Sequence, residues 1–123
     1  MTKSGLKTLV LGASENTDRY SNRAIVKLRE HGFEVEAIGK INGKVADVYF
    51  DNQKKDFKGI HTVTLYLNPK RQEEYIPYVL SLHPKRIIFN PGTENKIFIK
   101  KAQEMGIDTI EACTLVLLST NQF

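Results

Sequence analysis

Three small residues, Gly12-Ala13-Ser14, close a short run rich in β-branched and leucine side chains, and a polar stretch to Ser21 leads into an apolar stripe at helical spacing. That order suits anion chemistry. Small residues let a phosphate come close to the main chain, and the first N–H groups of a following helix are unpaired and point outward. Arg19 could pair with a phosphate, Ser14 and Ser21 could donate hydroxyl hydrogen bonds, and Tyr20 sits between them. The loop is not a GxGxxG fingerprint, because no glycine occurs between Gly12 and Gly32. The same residues also suit a plain helix start capped by Asp18 or Ser21, with Arg19 in solvent.

A second signal follows the next strand-like run, residues 33–38, where the chain continues as Gly39-Lys40. A site for NAD places a carboxylate at this point to accept from the ribose hydroxyls. The nearest acid, Glu36, lies inside the run instead. A cation here suits a phosphorylated ribose, as in coenzyme A or NADP, although surface lysines are common. Asn68-Pro69 and Asn90-Pro91-Gly92-Thr93 follow two further apolar runs. Their rigid, small residues would let an extended ligand pass, with Thr93 capping the next helix and Gly92 at positive φ. Ordinary turns use the same residue types.

Catalytic groups are harder to find. His31 precedes the glycine that ends the first helix, His61 starts the strand at 60–67 and His83 ends a helix, all at the edge opposite these loops. Cys113 reads as a structural thiol with no identifiable partner to lower its pKa. Glu15, Asp18 and Glu94 lie near the loops, but nothing pairs them for acid–base work, and Glu94 reads as a first-turn residue of a helix. No Walker lysine or metal-ligand spacing occurs. The expectation is a site without catalytic residues and without a metal.

The elements that position these loops alternate strand and helix. Strands are expected at residues 6–11, 33–38, 60–67, 86–89 and 107–110, with a short extended piece at 44–50 after an Asn42-Gly43 turn. Ala24, Ile25 and Leu28 mark the first helix, ended by Gly32. A helix begins at Asn68-Pro69 and runs to about Leu82, broken or kinked by Pro77. Another spans residues 94–105, buries Phe98, Ala102 and Met105, and stops at Gly106. Residues 114–119 fit a helix or an edge strand equally. This pattern gives the α/β class: a doubly wound, mostly parallel five-stranded Rossmann-like sheet with helices on both faces. Right-handed crossovers permit few orders, and 3-2-1-4-5 is the half-Rossmann one. It would set the loop after strand 1 beside the loop after strand 4.

The 123 residues allow one domain, 1–123, and their 41% apolar and 26% charged content is ordinary for a soluble globular chain. The net charge of +4 is scattered, which argues against nucleic acid, and no apolar stretch is long enough for a membrane span. A single cysteine and the absence of a leader-like start suggest the cytoplasm.

Taken together, Val10-Leu-Gly-Ala-Ser14, Arg19-Tyr-Ser-Asn-Arg-Ala24 and Leu28-Arg-Glu-His-Gly-Phe33-Glu-Val35 resemble the opening of small stand-alone CoA-binding domain proteins. These are similar in fold to the N-terminal domain of the succinyl-CoA synthetase α subunit. Val63-Thr-Leu-Tyr66, Lys85-Arg-Ile-Ile-Phe-Asn-Pro-Gly-Thr-Glu-Asn95 and Glu111-Ala-Cys-Thr114 continue the likeness. Where many such proteins have Asn-Pro after the second strand, this chain has Gly39-Lys40. The resemblance implies a module that binds CoA or acyl-CoA, with contacts at Gly12, Ser14, Arg19, Tyr20, Ser21, Asn90, Pro91 and Gly92. The residues leave open a nucleotide-binding subunit of an acyl-CoA or NADP enzyme complex, or a CoA- or redox-sensing module working through Cys113. They also leave open a protein partner or a homo-oligomer.

Overall fold

Along the first strand Leu9 and Leu11 face one way and Val10 the other, so both faces of its sheet need a cover. The computed structural model describes residues 3–123. Its elements run β1 (Lys3–Ala13), α1 (Tyr20–Glu30), β2 (Phe33–Gly39), β3 (Gly43–Val45), β4 (Val48–Phe50) and β5 (Thr62–Leu65). Then come α2 (Pro69–Gln72), α3 (Ile76–Ser81), β6 (Arg86–Phe89), α4 (Lys96–Glu104), β7 (Asp108–Glu111) and α5 (Thr114–Ser119). A 3₁₀ turn, Glu73–Tyr75, separates α2 from α3 ahead of Pro77, which is the break expected there.

Five of the strands form one sheet in the order β2-β1-β5-β6-β7, with every pairing parallel. Leu9, Leu11, Val63, Leu65, Ile87 and Phe89 pack on one face against α3 and α4, and Phe89 meets Phe98 edge to face with ring centres 5.4 Å apart. Val10 and Ala37 pack on the other against Ile25 and Leu28 of α1 and Leu118 of α5. This is the doubly wound α/β fold expected from the alternation.

The expected strand order is corrected. The third sheet strand, β5, enters between β1 and β6 rather than beyond β2, giving 2-1-3-4-5 for the sheet strands in chain order. All four of its residues are buried, in keeping with a central strand, whereas β2 has one exposed residue and two half-buried ones among its seven. The place outside β2 goes to the antiparallel β3-β4 pair, whose end touches β2 through a parallel bridge from Ile38 to Asp51. Asn42-Gly43 leads into β3; the hairpin turns at Ala46-Asp47, with Ala46 at φ 54°. Arg29 of α1 clamps that turn, its Nε and Nη2 each donating to Asp47 at 2.8 Å, and this holds the Asp47 carboxyl below its usual range.

Smaller differences follow from capping. The helix expected from residue 94 begins at Lys96, and its N-cap is Asn95, whose side chain accepts from the Phe98 N–H at 3.1 Å. Thr93 therefore does not cap it. Thr93 is buried and its hydroxyl donates to the Asn90 carbonyl. Glu94 lies outside the helix and accepts from the Gly92 N–H. Met105 lies at the helix end, 47% exposed, rather than in the core. Residues 114–119 form a helix, and Cys113 at its N-cap is half-buried.

Buried side-chain amides tie the carboxyl ends of the strands together. Asn90 donates to Thr64 Oγ1 at 2.7 Å and to the Leu65 carbonyl at 2.9 Å, and accepts from the Thr114 N–H at 2.8 Å. Gln72, with no exposed surface, donates to the Leu67 and Thr93 carbonyls and accepts from Asn95. Removing one such partner strands groups that water cannot reach. Asn90→Ala should cost about 2–4 kcal/mol, at 1–3 kcal/mol for each buried group left unpaired. A urea midpoint lowered at unchanged slope checks this; an unchanged midpoint contradicts it.

Candidate functional site

The chain leaves β1 over one face of the sheet, through α1, and leaves the adjacent β5 over the other, through α2 and α3. Connections that part in this way open a crevice beyond the strand ends. Here it is a cavity of about 740 Å³. It lies between the loops after β1 and β5, so the expected β1–β6 crevice is corrected along with the strand order. Pro91, Gly92 and Thr93 from the loop after β6 form its far wall.

Two glycines let the strand ends beneath the cavity pack closely. Gly12 has φ +108°, and a Cβ there would lie 3.1 Å from both the carbonyl carbon and Cβ of Tyr66. A side chain would be strained and would also push β1 from β5. At Gly39 an added Cβ would stand 2.5 Å from the Ala13 carbonyl oxygen.

The polar loop after Ser14 is folded rather than trailing. Ser14 Oγ accepts from the Asn16 N–H, Asn16 Oδ1 accepts from the Asp18 N–H, and the Asn22 side chain donates to the Ser14 carbonyl. Arg19, not Asp18 or Ser21, occupies the N-cap of α1, extended and without a side-chain capping bond. Its N–H donates to Asn16 and its carbonyl accepts from Asn22. The amides of Tyr20 and Ser21 are therefore the helix donors left without a main-chain carbonyl among the described residues. Glu15 Oε2 accepts from the Lys44 N–H at 2.9 Å and fastens the loop to the hairpin.

Most of the residues expected at the site reach the cavity. From the first loop these are Gly12, Ala13, Ser14, Arg19, Tyr20 and Ser21; Lys40 and Asn68 line it from the loops after β2 and β5. Two expected contacts do not. Pro69 is taken up as the first residue of α2, whose N-cap is Asn68. Asn90 lies beneath the rim, only 4% exposed, with its amide spent on Thr64, Leu65 and Thr114. Sequence reasoning missed Arg71, Tyr75 and Tyr66, all of which line the cavity. Arg71 and Tyr75 follow the Asn68-Pro69 signal, and the observed strand order sets them beside the loop after β1.

Three cations, Arg19, Lys40 and Arg71, line the cavity, and none of them has a carboxylate partner among the described residues; elsewhere six cations are paired and others, such as Lys96 and Lys100, stand in solvent without one. Of the two carboxylates at the cavity, Glu15 is engaged by the hairpin, which leaves Asp18. Burial pushes the Tyr66 phenol up to about 12, against the opposing effect of hydrogen bonding with Thr114 and Thr64. The histidines lie at the amino edge, His31 before β2, His61 before β5 and His83 before β6. No group of His, Cys, Asp and Glu able to hold a metal ion occurs among the described residues. No helix among them is long and apolar enough to cross a membrane.

The model of a protein family described as "CoA binding domain" matches residues 7–119. A crystal structure of an uncharacterised protein is 43% identical, with TM-score 0.94, over 98% of this chain and all of the other. A Pyrococcus horikoshii hypothetical protein shares 25% identity at TM-score 0.83, over 92% of this chain and 81% of its own. The Thermus thermophilus protein cell-free ID.343 shares 22% at the same TM-score, over 96% and 90%, a likeness of fold. A comparison with curated proteins returned no match.

Two expectations follow from this geometry. Gly12→Ala should lower stability by about 1–3 kcal/mol for the strained backbone alone, read from the chemical denaturation midpoint. For Tyr66 the native pKa lies above the ordinary value of 10, so between pH 10 and 12 the unfolded chain loses the phenolic proton first. Stability should hold up to pH 10 and then fall as pH rises towards 12, and Tyr66→Phe should flatten that fall. A fall of the same steepness in the Phe variant contradicts the assignment.

Proposed function

The chain belongs to the CoA binding domain family, and on that premise we propose that it holds coenzyme A, free or acylated, in the crevice between the ends of β1 and β5. One observation carries this reading most. Three cations without carboxylate partners and two open helix amides line one cavity at the carboxyl ends of the strands. Unpaired positive groups gathered in this way suit a ligand with several negative charges.

In this reading the pyrophosphate lies over the start of α1, where the Tyr20 and Ser21 amides and Arg19 receive it. Lys40 neutralises the phosphate on the ribose. Gly12 and Gly39 let the strand ends beneath the ligand pack closely, and Pro91, Gly92 and Thr93 flank the outgoing arm. The residues fit the cofactor on the structure's own terms, since the cavity brings Arg19, Lys40 and Arg71 together with the open Tyr20 and Ser21 amides. The protein itself holds and presents CoA; the acyl chemistry belongs to partners that exchange the loaded cofactor in the cytoplasm. Support for this division is positional, since the histidines lie at the opposite edge and the Tyr66 phenol stays protonated at neutral pH.

NADP is the second reading, because Lys40 would receive a ribose phosphate from either cofactor. Thermal shift with CoA, acetyl-CoA, NADP and NAD side by side separates them. CoA and acetyl-CoA should each stabilise the protein, by about 2.7 kcal/mol at a hundred times the dissociation constant. NAD should give no shift. Stabilisation by NADP alone would move the assignment to the dinucleotide, and no shift with any of the four would overturn both readings. Arg19→Gln should weaken CoA binding about tenfold, the value of one charge-assisted hydrogen bond.

A further inference from the structure

Arg71 has no counterpart among the residues that the sequence marks out, yet its place in the fold assigns it a task. The order β2-β1-β5 puts Lys40, which directly follows β2, on one flank of β1 and Arg71, two residues into α2, on the other. Neighbouring strands lie about 4.8 Å apart, so the ends of β2 and β5 are separated by roughly 10 Å. Arg19 stands between them at the start of α1. The cations also approach from opposite faces, since α1 packs on one side of the sheet and the segment after β5 on the other.

The surroundings of Arg71 keep its charge available. Glu74, the nearby carboxylate, is engaged by Lys54 at 3.5 Å, and Lys54 also stands 5.0 Å over the Tyr75 ring. Tyr75, half-buried, lines the same cavity as Arg71. The Arg71 N–H is spent on Asn68 Oδ1, which fixes the backbone of α2 while the exposed side chain carries no ion pair among the described residues.

Resting on the reading above, we propose that Arg71 is a specificity-determining residue that holds the distal phosphate of the pyrophosphate, the one bearing the arm. A nucleotide lying across the edge presents its groups in a fixed sequence. The ribose phosphate comes over β2 at Lys40, the proximal phosphate over α1 at Arg19, and the distal phosphate on the β5 side at Arg71. The arm then leaves between α2 and the Pro91–Thr93 wall. Such a site selects a nucleoside diphosphate carrying a further ribose phosphate, and it reads the two ends of that pattern with different residues.

The test uses calorimetric titration of the full chain with three probes: CoA, dephospho-CoA and adenosine 3′,5′-bisphosphate. Arg71→Gln should weaken CoA and dephospho-CoA about five- to twentyfold each and leave adenosine 3′,5′-bisphosphate within twofold. Lys40→Gln should do the reverse, weakening CoA and the bisphosphate but sparing dephospho-CoA. Arg71→Lys should recover part of the loss. Both side chains are exposed, and an unchanged thermal midpoint without ligand confirms that each variant folds. If Arg71→Gln leaves CoA affinity intact, or weakens all three probes equally, the assignment of Arg71 is overturned. If the unaltered chain binds none of the three, the proposed function itself has failed.

Discussion

The rest of the molecule depends on the departure of two adjacent strands to opposite faces. β1 feeds α1 on one side and β5 feeds α2 and α3 on the other, so their carboxyl ends cannot be covered by a common connection. The close contact at Gly12 makes that parting usable. With no side chain there, at a φ of +108° that L side chains rarely adopt, Tyr66 packs closely against the end of β1. The loop after β1, the start of α1 and the cavity cations all meet at this one place in the topology.

Around the crevice, stiffness comes from buried amides more than from surface charge. Exposed ion pairs such as Lys58–Asp56 contribute little in water. Asn90 and Gln72 are different, because each satisfies several main-chain groups that water cannot reach. They bind the loops after β5 and β6 and the start of α5 into one unit. No buried side-chain polar atom among the described residues is left without a partner. The rim is therefore preorganised, and little ordering cost remains for a ligand to meet. The hairpin β3-β4 extends the same frame beyond β2, held by Glu15 on one side and Arg29 on the other.

The class of fold was legible because hydrophobic periodicity and turn residues are local signals. So were the first loop, Lys40 and the break at Pro77. Strand order was not legible. Residues 60–67 read as a strand in any position, and the pairing of β5 with both β1 and β6 shows that it is central. Arg71 and Tyr75 went unnoticed because nothing in the sequence after Asn68-Pro69 marks them apart from an ordinary helix start. Asn90 misled for another reason: asparagine before proline suits an exposed turn and a buried bracket alike, and composition does not separate them. Thr93 and Asn95 competed for one cap, and the hydroxyl of Thr93 was claimed by the Asn90 carbonyl.

The central claim concerns where a ligand sits, so the most direct measurement is residue-resolved. In ¹H–¹⁵N correlation spectra recorded during titration with CoA, the amides of Tyr20 and Ser21 should shift furthest downfield, as expected for N–H groups that acquire an anionic acceptor. Signals near His31, His61 and His83 should stay in place. If the largest changes fall at that amino edge while Tyr20 and Ser21 do not move, the ligand is held elsewhere and the account is wrong.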